Sequence, residues 1–349
     1  MRRVTKLAAV LATVTLGLAA CGSSDSDTAT PAASGGNAAK SDVKVGMAYD
    51  IGGRGDQSFN DSAALGLDKA KTEFGITTKE LEASGTDTDA SKEERLRLLA
   101  TGGYNPVIAV GFAYAVPLGK VAKEFPDTKF AIIDDSSLKD TNVTSLVFAE
   151  EQGSFLVGTI AAQASKGKNI GFIGGVNTPL IAKFEAGFTA GAKAVTPDIK
   201  VQVKYLTQPP DFAGFSSPDK GKTAAQGMLD SGADVIYAAA GGSGSGAFDA
   251  VAAAKKLAIG VDSDQYKTAT PAVQPVILTS MLKRVDTAVY SMVKSVVDKA
   301  PLTGVQTFDL KSDGVGYATS NSIVKPFEAK TDEFKTKIIS GEVTVPTTP

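Results

Sequence analysis

Histidine does not occur anywhere in the 349 residues of this chain. Its absence excludes Ser-His-Asp and Cys-His catalysis and histidine-ligated metals, and it removes the commonest general base. Acid or base work would fall to Asp, Glu, Lys or Tyr. Cysteine occurs once, at Cys21, so no disulfide can form within one chain. An excess of positive charge is also missing: 36 basic residues face 38 acidic ones. Removing residues 1–20 takes away three basic residues and no acid, which leaves 33 against 38, a balance of −5. Such a chain has no basic footprint for nucleic acid. After residue 20 no second long apolar segment appears, so the mature chain is expected not to span a membrane.

What is present begins with Met1-Arg2-Arg3, Lys6 close behind, and an apolar stretch from Leu7 to Ala20. A basic start and a short apolar core describe a secretory signal; a transmembrane helix needs ~20 apolar residues. The ending Leu18-Ala19-Ala20-Cys21 resembles the bacterial lipobox, in which cleavage precedes a cysteine that then carries lipid. The alternative is an ordinary signal peptide with a chance cysteine. Residues 1–20 are therefore expected to be removed, with lipid on Cys21. Residues 21–42 are rich in Ser, Ala, Thr, Gly and Asp, cannot bury enough apolar surface to fold, and read as a flexible tether.

The folded part, from about Val43, runs to ~300 residues, enough for two lobes. Apolar, β-prone runs alternate with helical stretches at a spacing that argues for a parallel sheet covered on both faces. The order then recurs: VIAVGF (107–112) is echoed by VIYAAA (235–240), and FAIIDDSS (130–137) by LAIGVDSD (257–264). A near-constant offset favours two similar α/β lobes over one sheet. The expected fold is two doubly wound α/β lobes facing each other across a cleft. Lobe one is assigned 43–147 plus about 265–302, and lobe two 148–264 plus about 303–349. The last pieces, read as a strand pair at 305–310 and 314–319, fit neither lobe as a simple continuation.

Ligands in open α/β sheets bind beyond the carboxyl ends of the strands, so the loops there hold the candidate residues. After the first strand come Asp50, a loop with Gly52, Gly53, Arg54 and Gly55, and then Phe59 and Asn60 at a helix start. Phe59 either caps the core or offers a face on which a flat ring stacks. Asp50 and Asn60 either bond a heterocycle edge or make turns and caps. Asp134 and Asp262 end equivalent strands, where a carboxylate suits sugar hydroxyls or, equally, a turn. Asp134 and Asp135 cannot both face one site from a strand. The GGSGSG run (241–246) is a phosphate cradle or, the preferred reading, a close backbone approach to a ligand; it lacks the G-K-[ST] of a P-loop. Lys283 is either a site cation or a solvated surface charge.

The segments DIGGRGDQSFN (50–60), FAEEQGSFLVGTIAA (148–162), IGFIGGVNTPLIAKFEAGFTAGAK (170–193), GVDSDQ (260–265) and TSMLKRV (279–285) together resemble the basic membrane protein family of substrate-binding lipoproteins. That family includes purine nucleoside receptors serving ABC transporters. The resemblance covers nearly the whole chain after the tether. It implies a type I periplasmic-binding fold with three hinge crossovers and a nucleoside in the cleft. It puts Phe59 and Phe184 on opposite faces of the base, with Phe188 the neighbouring alternative. It puts Asp50 and Asn60 on the base edge, Asp134 (or Asp135), Asp262 and Lys283 around the ribose, and Gly242 at a close backbone approach.

The reading is thus an extracytoplasmic, lipid-anchored nucleoside-binding protein, with a purine nucleoside the expected ligand. It is expected to act as a monomer, without cofactor, metal or nucleic acid, and to deliver its ligand to an ABC permease. Two rivals stand beside it. One is a sugar or autoinducer binding protein or sensor of the same fold. The other is a nucleoside-hydrolysing enzyme using the aspartates at 134–135 and 262–264 to hold a metal.

Overall fold

Strands covered by helices on both faces read as continuous apolar runs, since neither side meets water. The computed structural model describes residues 41–83 and 87–349. Its first half runs β1 (Lys44–Ala48), α1 (Phe59–Phe74), β2 (Thr77–Leu81), α2 (Asp89–Thr101), β3 (Val107–Ala109), α3 (Ala115–Glu124), β4 (Phe130–Ile133) and β5 (Val143–Phe148). A second series follows: α4 (Glu150–Ala164), β6 (Asn169–Val176), α5 (Pro179–Val195), β7 (Lys200–Thr207), α6 (Pro218–Asp230), β8 (Val235–Ala239), α7 (Gly244–Ala253), β9 (Leu257–Asp262), the short α8 (Gln265–Thr268) and β10 (Ile277–Lys283). The chain ends with α9 (Val285–Val297), β11 (Gly304–Phe308), β12 (Val315–Tyr317) and α10 (Lys325–Ile339).

Two six-stranded sheets result, in the orders β2-β1-β3-β4-β5-β11 and β7-β6-β8-β9-β10-β12. Strand for strand the orders are the same, which is the repeat seen in the sequence made three-dimensional. Paired strands run parallel, except that β12 is antiparallel to β10. The chain crosses between the sheets three times: from β5 into α4, from β10 into α9, and from β11 to β12. This is the two-lobed, three-crossover fold expected.

The lobe boundaries need correcting. Residues 265–302 do not return to lobe one as a block. β10 pairs in parallel with β9 and is the fifth strand of lobe two, as β5 is of lobe one. Only α9 of that stretch packs on lobe one, against α1. Nor does 303–349 belong wholly to lobe two, because β11 pairs with β5. The two C-terminal strands are not a pair; each sheet has one free edge after its fifth strand, and the chain covers first one and then the other.

α10 was not foreseen. It packs on α4, with the rings of Phe334 and Phe155 5.5 Å apart and edge to face. No helix among the described residues is long and apolar enough to cross a membrane. The expected signal peptide, Cys21 and the tether up to residue 40 lie outside the described residues.

Candidate functional site

The opening loop is shaped by glycine. Gly52, Gly53 and Gly55 all have positive φ, a region that L side chains disfavour. The loop leads into α1, whose first N–H groups need acceptors. Asp56 supplies them: its carboxylate accepts from the N–H of Ser58 (2.9 Å), Asn60 (2.8 Å) and Asp61 (3.1 Å). Ser58, directly before the helix, is thereby released from capping. Its hydroxyl instead donates to Asp262 of the other lobe at 2.6 Å.

Asn60 holds the loop. Its Oδ1 accepts from the Asp50 N–H (3.1 Å), and its Nδ2 donates to Asp56 (3.0 Å). One lone pair of Oδ1 is left for anything else. Asp50 lies against Gly111; a Cβ there would come within 2.3 Å of Asp50 Oδ2, and φ is +104°. Gly111 is therefore what lets β3 approach Asp50. Burial pushes the Asp50 carboxyl up to about 6.

One cavity lies between the lobes. Lobe one lines it with Asp50, Ile51, Asp56, Phe59, Asn60, Gly111, Phe112 and Asp134. Lobe two contributes Leu180, Ile181, Phe184, Phe215, Ala239, Gly241, Val261, Asp262 and Lys283. The space not filled by atoms is about 570 Å³, part of it open to solvent. Four phenylalanines give it aromatic walls, and the carboxylates gather with Lys283.

That gathering joins the lobes. Lys283 Nζ donates to Asp134 Oδ2 at 2.6 Å and lies 3.4 Å from Glu150 Oε1. Its ammonium is 5.1, 5.1 and 5.6 Å from the ring centroids of Phe59, Phe148 and Phe184. Lys283 is 2 % exposed. Burial alone would lower its pKa, but Asp134, Glu150 and Asp262 outweigh burial and raise it. Asp134 is raised to about 7, by burial first; Lys283 draws it down and Glu150 pushes it up. Burial likewise takes Asp262 up to about 6 against the pull of Lys283. Asp134 and Asp262 share a further property. Both end their strands in the left-handed region, at φ 68° and 63°, a conformation that clusters at functional sites.

Other contacts bridge the cleft. Gln265 Nε2 donates to Gln57 O at 3.0 Å, Ser263 Oγ donates to Ser58 O at 2.9 Å, and the rings of Phe112 and Phe212 meet edge to face at 5.8 Å. The lobes are closed on the cavity.

The structure thus gathers Asp50, Phe59, Asn60, Asp134, Phe184, Asp262 and Lys283 around one space. The neighbouring alternatives lie elsewhere. Asp135 accepts from the N–H and hydroxyl of Ser137 in a turn, and Phe188 is in the core against Phe172 and Tyr237. Of the glycine run, Gly241 is among the lining residues, and Gly242 lies beside Phe215, where a Cβ would stand 3.4 Å from its carbonyl oxygen. The sequence reading missed Asp56, Phe112, Phe215 and Glu150. Phe112 had a signal, since it follows a strand at the same end as Asp50. Between Asp134, Asp262 and Glu150, the place a cation would take is held by the Lys283 ammonium. Among the described residues, no group of three or more acids or cysteines is arranged to hold a metal.

The model of the Bmp family, described as ABC transporter substrate-binding protein, PnrA-like, matches residues 43–349. This chain belongs to the Bmp family. A relative from Listeria innocua, named CD4+ T-cell-stimulating antigen, is 36% identical over 95% of each chain. The ABC transporter nucleoside-binding protein BmpA of Lactococcus lactis subsp. cremoris is 34% identical over 99% of each chain. Among solved structures, an ABC transporter system solute-binding protein from Aeropyrum pernix superposes with a TM-score of 0.76 at 30% identity, covering 87% of this chain and 93% of that one. Membership in this family makes the chain an ABC transporter substrate-binding protein, and its inter-lobe cavity the place to look for the substrate.

Proposed function

We propose that this Bmp-family protein is lipid-anchored through Cys21 outside the cell and binds a nucleoside, a purine nucleoside by preference, for an ABC importer. The observation that carries the reading is Asp134 Oδ1. It is a buried carboxylate oxygen on the cavity wall with no hydrogen-bond partner among the described residues. A buried acceptor without a donor is unfavourable by ~1–3 kcal/mol, and ligand hydroxyls are the donors it lacks. Phe59 and Phe184 stand 5.1 and 5.6 Å from the Lys283 ammonium that pairs with Asp134, and offer faces to a flat base. One ligand with both a diol and an aromatic ring satisfies both ends, and a nucleoside is such a ligand. The nucleoside-binding name of the Lactococcus relative agrees with this.

The mechanism is closure. The ligand enters between parted lobes and displaces nothing covalent. Asp134 and Lys283 take the sugar hydroxyls, the base lies against Phe59 and Phe184, and Asp50 accepts from its edge. The closed form is then what the permease meets. Calorimetric titration tests this. Nucleosides are expected to bind with submillimolar or tighter affinity, while ribose and free bases bind far more weakly. A clear heat with pentoses and none with any nucleoside would replace the reading with the sugar-binding rival. Free base released during the titration would favour the hydrolase.

A further inference from the structure

Glu150 is the first residue of α4, where the chain has just crossed from β5 of lobe one into lobe two. Its side chain is 1 % exposed and does not line the cavity. A carboxylate held that far from water needs partners; among the described residues it has one hydrogen bond, on Oε2, while Oε1 makes no hydrogen bond and has only an ion-pair neighbour. Oε2 accepts from Lys183 Nζ at 3.1 Å, and Oε1 lies 3.4 Å from Lys283 Nζ. Lys183 is the residue directly before Phe184 on α5, so one carboxylate touches both the site lysine and the helix turn that carries a site aromatic.

The lobes divide the partners of Lys283 unequally. Asp134, at the end of β4, belongs to lobe one. Glu150 of α4 and Asp262 at the end of β9 belong to lobe two, as Lys283 itself does. α1 and β5 present the rings of Phe59 and Phe148 to the ammonium. When the lobes part to admit a ligand, Lys283 moves away from Asp134 but stays with Glu150. Asp262, whose hydrogen-bond partner in the closed form is the Ser58 hydroxyl across the cleft, makes no ion pair with Lys283, whose paired carboxylates are Asp134 and Glu150.

We propose that Glu150 is a positioning residue of the sugar subsite: it fixes the Lys283 ammonium where ligand hydroxyls meet it, and keeps that ammonium partnered within lobe two while the cleft is open. The inference rests on the nucleoside reading. It goes further in assigning sugar selectivity to a residue outside the cavity, at the hinge entry.

The test compares a purine riboside, adenosine and guanosine in turn, with its 2′,3′-dideoxy form by calorimetry. Glu150→Gln keeps the shape and removes the charge. Affinity for the riboside is expected to fall tenfold or more, while the weaker affinity for the dideoxy form changes less than twofold. A merely structural role would weaken both ligands alike, and that result, or no loss on either, overturns the proposal. Glu150→Asp keeps the charge on a shorter arm and serves if the glutamine variant fails to fold. It should show the same selective loss, several-fold, and an unselective loss counts against the proposal in the same way. A wild-type protein that takes up no riboside brings down the nucleoside reading and this inference together. A binding wild type with an unselective variant brings down the inference alone.

Discussion

Replacing Asp134 by asparagine should move stability and affinity in opposite directions. Asn tolerates the left-handed region that Asp134 occupies at φ 68°, so the strand end need not shift. At pH 8 the wild-type carboxylate is ionised in a place that favours the neutral acid: burial raises it to about 7, with Glu150 adding to burial and Lys283 only partly offsetting both. Relative to an ordinary carboxyl, ionisation there therefore works against the unliganded fold. Real interiors screen such penalties, so we expect the amide to stabilise by ~1–2 kcal/mol and, over ~300 folded residues, raise Tm by ~1–3 °C. The ligand loses instead. A hydroxyl-to-carboxylate bond is about twice as strong as one to a neutral amide, so the nucleoside should bind roughly 5–30-fold more weakly. The assay is thermal unfolding at pH 8 of refolded, ligand-free protein, beside calorimetry on the same sample. A variant that melts earlier and binds as before would refute the reasoning, because Asp134 would then be a structural ion pair and not an acceptor awaiting a ligand.

Phe59→Ala should remove ~1–3 kcal/mol of stacking, weakening nucleosides far more than ribose; equal weakening of both, measured by calorimetry, would remove the ring from the base subsite. The pH dependence of unliganded stability follows from Asp50, Asp262 and Asp134, raised to about 6, 6 and 7. A carboxyl with a raised folded pKa contributes stability below its unfolded value and loses it as pH rises through the folded one. Chemical denaturation should therefore show a more stable protein at pH 5 than at pH 8, by at least ~1 kcal/mol, and a flat or opposite profile would contradict the assigned burial of these groups. The carboxyls held low, Asp87, Glu93, Glu124, Asp198 and Asp211, titrate below that window and leave the sign unchanged. Cys21→Ser should move the protein from the membrane fraction to the soluble extracytoplasmic fraction on immunoblots; continued membrane retention would argue against the lipid.

Much of the architecture is written locally. Apolar runs such as VIYAA at 235–239 become central parallel strands, and the repeat pairs Asp134 with Asp262, which share their place and their unusual backbone. The loop from Asp50 to Asn60 announces itself by glycines with a helix start. What the sequence does not carry is partnership at a distance. β10 and β11 go to sheets other than those expected because a strand's partner depends on which edge is free. Phe112 and Phe215 become cavity walls only when the lobes close. Glu150 reads as an ordinary acid in the first turn of a helix, favourable to the helix dipole, until β10 brings Lys283 beside it.

The most direct test of the central claim is mass spectrometry of whatever small molecule leaves the purified protein when it is denatured. The account predicts an intact nucleoside, base and pentose still joined, in an amount approaching one per chain. A free sugar or a signalling molecule recovered at that stoichiometry, with no nucleoside, would contradict it.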